Sequence, residues 1–166
     1  INSKHHSIQI TDKDFLNAIE VVIYNIESYD TTTVRASTPM YLLCKYIKEN
    51  TDIAVIYSGE GADEASGSYL YFQNAPTPQD FHEETLRLLN DLQYFDVLRS
   101  DKSTAGAGLE VRVPFLDKEF LDLYMSIPTE FKVSNNKIEK QFLRDAFSKG
   151  NLLPSDVLWR KKEAFS

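Results

Sequence analysis

Apolar positions recur along this chain in two spacings, and one unbroken apolar run is Ile53-Ala54-Val55-Ile56-Tyr57. It is short, rich in β-branched and aromatic side chains, and shows no alternation. This predicts a strand buried on both faces, as in a parallel sheet. The run breaks into Ser58-Gly59-Glu60-Gly61-Ala62-Asp63-Glu64, where the glycines permit a sharp turn and Asp63 or Glu64 can cap a following helix. A loop of this kind stands at the carboxyl end of a strand, where open α/β sheets bind ligands.

Elsewhere the spacing is helical. Phe15, Ile19, Val22, Ile23 and Ile26 predict a helix capped by Thr11 or Asp12. Met40, Leu43 and Ile47 predict a second, with Thr38 as N-cap and Pro39 at its first position, after a polar connection from Tyr29. Thr77, Pro78 and Asp80 open a third, lined by Phe81, Thr85, Leu88, Leu89 and Leu92. Asp117 caps a helix bearing Phe120, Leu121 and Tyr124, and Ile138, Phe142 and Ala146 mark one from Lys137 to Phe147, stopped at Gly150. Shorter helical pieces are expected at Tyr69–Phe72, ending near Ala75-Pro76, at Tyr94–Asp101, ahead of Ala105–Gly108, and at Pro154–Trp159. Ser66-Gly67-Ser68 suggests close backbone packing, and His5–Ile10 alternates weakly, as a short strand would. Leu109–Asp117 reads as irregular. Two strands against about six helices make an incomplete parallel sheet, because a typical sheet has roughly five or six strands. The class is α/β with a helix-rich carboxyl-terminal part, and at least one partner strand is expected outside these residues.

Composition changes the picture little. The 166 residues are 42% hydrophobic and 12% aromatic, as in a folded domain. With 25 acids against 18 bases the net charge is −7, which argues against nucleic acid or an anionic membrane as a partner. Cys44, the one cysteine, favours a reducing compartment, so a cytoplasmic location is expected. No apolar run reaches the length of a membrane span. The chain starts at Ile1 without methionine and stops at Lys161-Lys162-Glu163-Ala164-Phe165-Ser166, so both ends are expected to be cut.

Taken alone, most candidate residues have an ordinary explanation. Glu60 is a solvated turn acid. Thr31-Thr32-Thr33 and Arg35 are a turn, although an arginine fork also clamps carboxylate or phosphate. Asp96 and Arg99, three apart, are a surface ion pair of small value. His5 and His6 lack further metal ligands in view.

Longer blocks change these weights. Thr32-Thr33-Val34-Arg35-Ala36-Ser37-Thr38-Pro39-Met40-Tyr41, the loop from Ser58 to Glu64, and Tyr69-Leu70-Tyr71-Phe72 occur in order with Phe95-Asp96-Val97-Leu98-Arg99, Glu110-Val111-Arg112-Val113-Pro114-Phe115-Leu116-Asp117 and Trp159–Ser166. Together they closely resemble the synthetase domain of the glutamine-hydrolysing asparagine synthetase family, over nearly the whole chain. The resemblance implies an adenine-nucleotide alpha-hydrolase-like, Rossmann-like parallel sheet. It also implies a reaction in which MgATP adenylates the aspartate β-carboxylate, pyrophosphate leaves, and ammonia from a glutaminase domain yields asparagine and AMP. On that basis Ser58 and Gly59 contact ATP, Glu60 acts in catalysis on ammonia, and Asp63 holds Mg2+ with Glu64 behind it. Thr32, Thr33 and Arg35 bind aspartate; Asp96 and Arg99 stand at the site rim; Lys162 faces pyrophosphate, and Lys161 is solvated. A homodimer is compatible with the family.

One departure is central. The family's Ser-Gly-Gly-x-Asp-Ser pyrophosphate loop would precede Ile1, and the glutaminase domain with its amino-terminal cysteine is also missing, a role Cys44 does not take. The 166 residues alone are expected to have little or no synthetase activity. The alternatives are a related enzyme that adenylates another carboxylate, as β-lactam synthetases do, and a non-catalytic truncated remnant.

Overall fold

The computed structural model describes residues 4–133, 138–150 and 152–162. The chain divides into two units, one of residues 4–57 and 95–112, the other of residues 58–94 and 113–162.

In the first unit, α1 (Asp12–Ile26) starts at Thr11, whose hydroxyl accepts from the Asp14 backbone N–H while the Asp14 carboxylate accepts from the Thr11 N–H. This reciprocal capping box satisfies two of the backbone donors a helix start leaves open. Ala18, Val22 and Ile26 form its buried stripe, and with Tyr41 they are the centre of the unit's apolar core.

Helix α2 (Thr31–Asn50) begins earlier than the sequence pattern suggests. Asp30, not Thr38, is the N-cap, accepting from the Thr33 backbone N–H at 2.8 Å and from the Thr33 hydroxyl at 2.8 Å. Pro39 therefore lies inside the helix, not at its first position. Three consecutive threonines have weak helix propensity and carry no apolar period, which hid the first two turns. The buried face also differs: it is Ala36, Ser37, Thr38, Tyr41 and Cys44, whereas Leu43 is exposed. Helix α5 (Asp96–Gly106) packs on α2 and answers with Ser100, Ser103 and Thr104. Small hydroxyl residues on both sides let two backbones approach, and a hydrophobic count does not register them.

Strand β1 (Val55–Tyr57) pairs in parallel with β2 (Glu110–Arg112), Ile56 opposite Val111. Two expectations are corrected here. Residues 53–57 do not form a strand buried on both faces, since Val55 is 42% and Tyr57 78% exposed. The second strand is β2, within the segment read as irregular, and not His5–Ile10, which has no regular structure. Val55 and Tyr57 share one face of β1, and that face is exposed, whereas Ile56 on the opposite face is partly buried. The described residues thus form a helix-rich α/β arrangement with a two-stranded parallel sheet.

The second unit contains α3 (Ala62–Ser66), α4 (Pro78–Asp91), α6 (Lys118–Ser126), α7 (Thr129–Lys132), α8 (Gln141–Lys149) and α9 (Ser155–Leu158). Thr77 caps α4 by accepting from the Asp80 N–H, and Asp117 caps α6 by accepting from the Phe120 N–H, both as the sequence predicts. Phe81 of α4 packs over Gly67 and edge-on to Phe72, with ring centres 4.8 Å apart, so the close packing expected at Ser66-Gly67-Ser68 is present. Helix α8 begins at Gln141; Lys137, part of the predicted helix, lies outside the described residues.

Candidate functional site

The two units share the sequence candidates between them. Thr32, Thr33, Arg35, Asp96 and Arg99 belong to the first; Ser58, Gly59, Glu60, Asp63 and Lys162 belong to the second.

Within the second unit the loop after Tyr57 folds as an ST turn, with the Glu60 backbone N–H donating to the Ser58 hydroxyl at 3.4 Å. Gly61 has φ +84° and begins α3 without any side-chain cap. Neither Asp63 nor Glu64 caps that helix, contrary to expectation. Both lie in its first turn, where the positive helix end favours carboxylates, but their oxygens are directed to other partners.

The Asp63 partners define the site. Lys162 Nζ donates to Asp63 Oδ1 at 2.7 Å, across 99 residues of sequence. Lys140 Nζ lies 3.0 Å from the same oxygen, and the Ser68 hydroxyl also donates to it. All three converge on Oδ1. Burial works against ionisation of Asp63, but Lys162, then Ser68 and Lys140, outweigh it and hold the carboxyl below its ordinary range. Lys162 is further held by the Ser68 carbonyl at 3.3 Å and lies over the Tyr69 ring at 4.8 Å from its centre. Tyr69 in turn donates its hydroxyl to the buried Glu64. Glu64 therefore acts behind the site, steadying the aromatic face against which Lys162 rests.

Lys140, Ser68 and the Glu64–Tyr69 link were not identified as site groups from sequence. Lys140 is a non-glycine residue with φ +57°, immediately before α8, and the spacing of Ile138, Phe142 and Ala146 had placed it inside a helix. A left-handed residue of this kind persists when its surroundings hold it, and here the Asp63 ion pair contributes. No signal in the sequence marks it.

No cluster of three or more His, Cys, Asp or Glu side chains suited to a metal exists among the described residues. Magnesium needs fewer, because it keeps water and substrate phosphates and takes one or two protein carboxylates. One half-buried carboxylate beside two lysines fits that use better than an all-protein cage.

In the first unit, Thr33 is committed to Asp30, while Thr32 and Arg35 are exposed on the first turns of α2. Arg99 Nη2 lies 2.6 Å from Asp96 Oδ1, an i, i+3 pair on α5 with both side chains largely buried. Cys44 is 1% exposed and burial pushes its thiol up to about 11, so it is neither accessible nor poised as a nucleophile.

The low Asp63 pKa has a stability consequence. Its folded-state value lies below its unfolded one, so the pair contributes above about pH 4 and is lost as pH falls through the folded value. Stability is expected to drop on acidification below about pH 4, with a shallower acid slope in Asp63→Asn. Denaturant titrations of both proteins between neutral and strongly acidic pH measure this, and equal slopes would show that Asp63 is not the group concerned.

The asparagine synthase family model matches residues 1–80 and 73–166, and the chain belongs to that family. It is 52% identical over all 166 residues to the glutamine-hydrolysing asparagine synthetases of Mesocricetus auratus and Gallus gallus, and 51% identical to that of Homo sapiens. In each case it spans 30% of the relative's length.

Proposed function

We propose that this chain forms part of an ATP-dependent asparagine synthetase, with an adenine-nucleotide alpha-hydrolase-like fold completed by further strands. An aspartate β-carboxylate oxygen attacks the α-phosphorus of ATP, the bond to the β-phosphate oxygen breaks, and pyrophosphate leaves. Ammonia then attacks the acyl carbon of the β-aspartyl-adenylate, releasing AMP. The observation that carries this reading is the meeting of Lys162 and Lys140 on Asp63 beside the Ser58–Glu64 loop.

Two ammonium groups held on one carboxylate oxygen are stored cations. When a triphosphate enters, they can exchange Asp63 for phosphate oxygens, and they neutralise the charge that grows on the leaving pyrophosphate. Asp63 is the carboxylate that would hold Mg2+, which would supply further neutralisation of the triphosphate charge. Gly59 faces open space, with nothing within 4 Å of where a Cβ would stand, so its small size serves close approach of a ligand and not internal packing. Ser58 stands beside it for ATP. Thr32, Thr33 and Arg35 bind the aspartate substrate, with the Arg35 guanidinium as carboxylate fork, and Asp96 and Arg99 form the rim. Glu60 receives a proton from the attacking ammonia, which must lose its positive charge for the amide to form.

In the intact protein, ATP consumption with aspartate is expected to give pyrophosphate and AMP, not phosphate and ADP. Glu60→Gln is expected to lower asparagine formation by about 100-fold or more, the usual loss for a general base, with adenylation retained and far-ultraviolet circular dichroism unchanged. Normal turnover in that variant removes Glu60 from the mechanism, and ADP as product removes the adenylation chemistry.

A further inference from the structure

A second feature of the same unit lies outside the chemistry above. A cavity of about 400 Å³ is bounded by α4, α7 and the chain around Gly67, with Tyr69, Phe72, Phe81, Gln73, Lys132 and Lys140 on its walls. That volume lies in the range of small-molecule pockets. Most of the lining is apolar or aromatic, which disfavours a strongly hydrated anion such as free phosphate.

Lys132 makes this cavity unusual. It is only 6% exposed, and its Nζ donates to one acceptor, the Tyr124 carbonyl, at 3.3 Å. An ammonium carries three donors, so two have no acceptor among the described residues. The Tyr124 ring also lies beneath it, 5.4 Å from centre to Nζ, but that phenol is pushed up to about 12 by burial and stays neutral. Among the described residues no carboxylate pairs with Lys132. Buried charges are ordinarily paired, and an uncompensated one is costly. The cavity walls carry two lysines against one acid, Glu139.

We propose that this cavity is a binding pocket for a small organic carboxylate with an apolar or aromatic body, and that Lys132 anchors its carboxylate. The carboxylate supplies the counter-charge and the acceptors that Lys132 lacks, while Phe72 and Phe81 cover the apolar body. Burial lowers the Lys132 pKa, and a bound anion would act against that shift by favouring the charged form. The pocket adjoins the Asp63 group, since Lys140 lines it and also pairs with Asp63. Ser68 and Tyr69 are likewise shared with that group, whereas Lys162 is not among the cavity walls.

The test uses 3-phenylpropanoate as probe, titrated calorimetrically into the intact protein at neutral pH, with 3-phenylpropanamide and inorganic phosphate as comparisons. Saturable binding is expected for the carboxylate, and at least tenfold weaker binding for the amide and for phosphate. Lys132→Met keeps the length and apolar stem while removing the charge, so it is expected to fold and to weaken carboxylate binding at least tenfold. Lys162→Ala is expected to leave it within twofold. No saturable binding, equal binding of amide and carboxylate, or unchanged affinity in Lys132→Met each overturn the proposal. Loss in Lys162→Ala with retention in Lys132→Met also overturns it, since the anion would then sit on the Asp63 group. A protein inactive as a synthetase that still binds the carboxylate through Lys132 leaves the pocket standing.

Discussion

Lys162→Met is expected to lower aspartate-dependent pyrophosphate release by about 100- to 1000-fold, the range found when one preorganised charge-stabilising donor is removed from an active site. Stability should change little. Lys162 is partly exposed, and its ion pair has Lys140 beside it on the same Asp63 oxygen, so Asp63 keeps a cationic partner. A pair with this exposure contributes on the order of 1 kcal/mol or less to folding. The two effects therefore separate the roles of Lys162. If it were only a strut joining residues 99 apart, activity per folded molecule would be unchanged and the melting temperature would fall. If it meets developing charge, kcat falls and the melting temperature holds. Steady-state pyrophosphate release and thermal unfolding on the same preparation decide between them, and wild-type kcat would end the assignment.

The second large effect concerns the two glycines of the loop, which look alike in sequence and differ in structure. Gly61→Ala is expected to destabilise the protein by about 3 kcal/mol: roughly 1–2 kcal/mol from a Cβ in the left-handed region and roughly 1–3 kcal/mol from overpacking. At φ +84° that Cβ would fall inside contact distance of Leu116 Cγ and Cδ2, so the branch of the side chain and not only its tip must move. A loss of that size is a large share of the stability of a typical domain. Gly59→Ala meets open space and is expected to stay within about 0.5 kcal/mol of wild type, the usual range for an unconstrained surface position. Denaturant midpoints of the two variants give the comparison. Equal destabilisation would show that Gly59 is also required by the fold, and would remove the argument that its small size is kept for a ligand.

Several elements were legible before any coordinates. Thr11, Thr77 and Asp117 each accept from a backbone N–H three residues on, a signal contained in four consecutive residues. Apolar period then carried α1, α4 and α6 to their ends. Failures occurred where the pattern did not mark the packing. Helices α2 and α5 pack together, and their buried residues include Ser37, Thr38, Ser100, Ser103 and Thr104, which score as polar. The start of α2 was missed because Asp30 caps a run of threonines, and β2 because three residues are too few to show alternation.

The site divides in the same way. Residues 58–64 and Lys162 were singled out by family resemblance, which depends on side-chain identity and order. What each carboxylate and lysine touches was not open to that reasoning. Of the helix cap and the metal expected of Asp63, the cap is left to backbone geometry at Gly61, and the carboxylate takes Lys162, Lys140 and Ser68 as partners.

Local order along this chain, its helix starts and the chemistry of its loop, follows from contacts three or four residues apart, and these can be read from neighbours in sequence. The pairing of β1 with β2, the left-handed Lys140 and the meeting of two lysines on one oxygen join residues 55, 77 and 99 positions apart. Such contacts depend on how helices and turns between them pack, and only the tertiary structure carries that information.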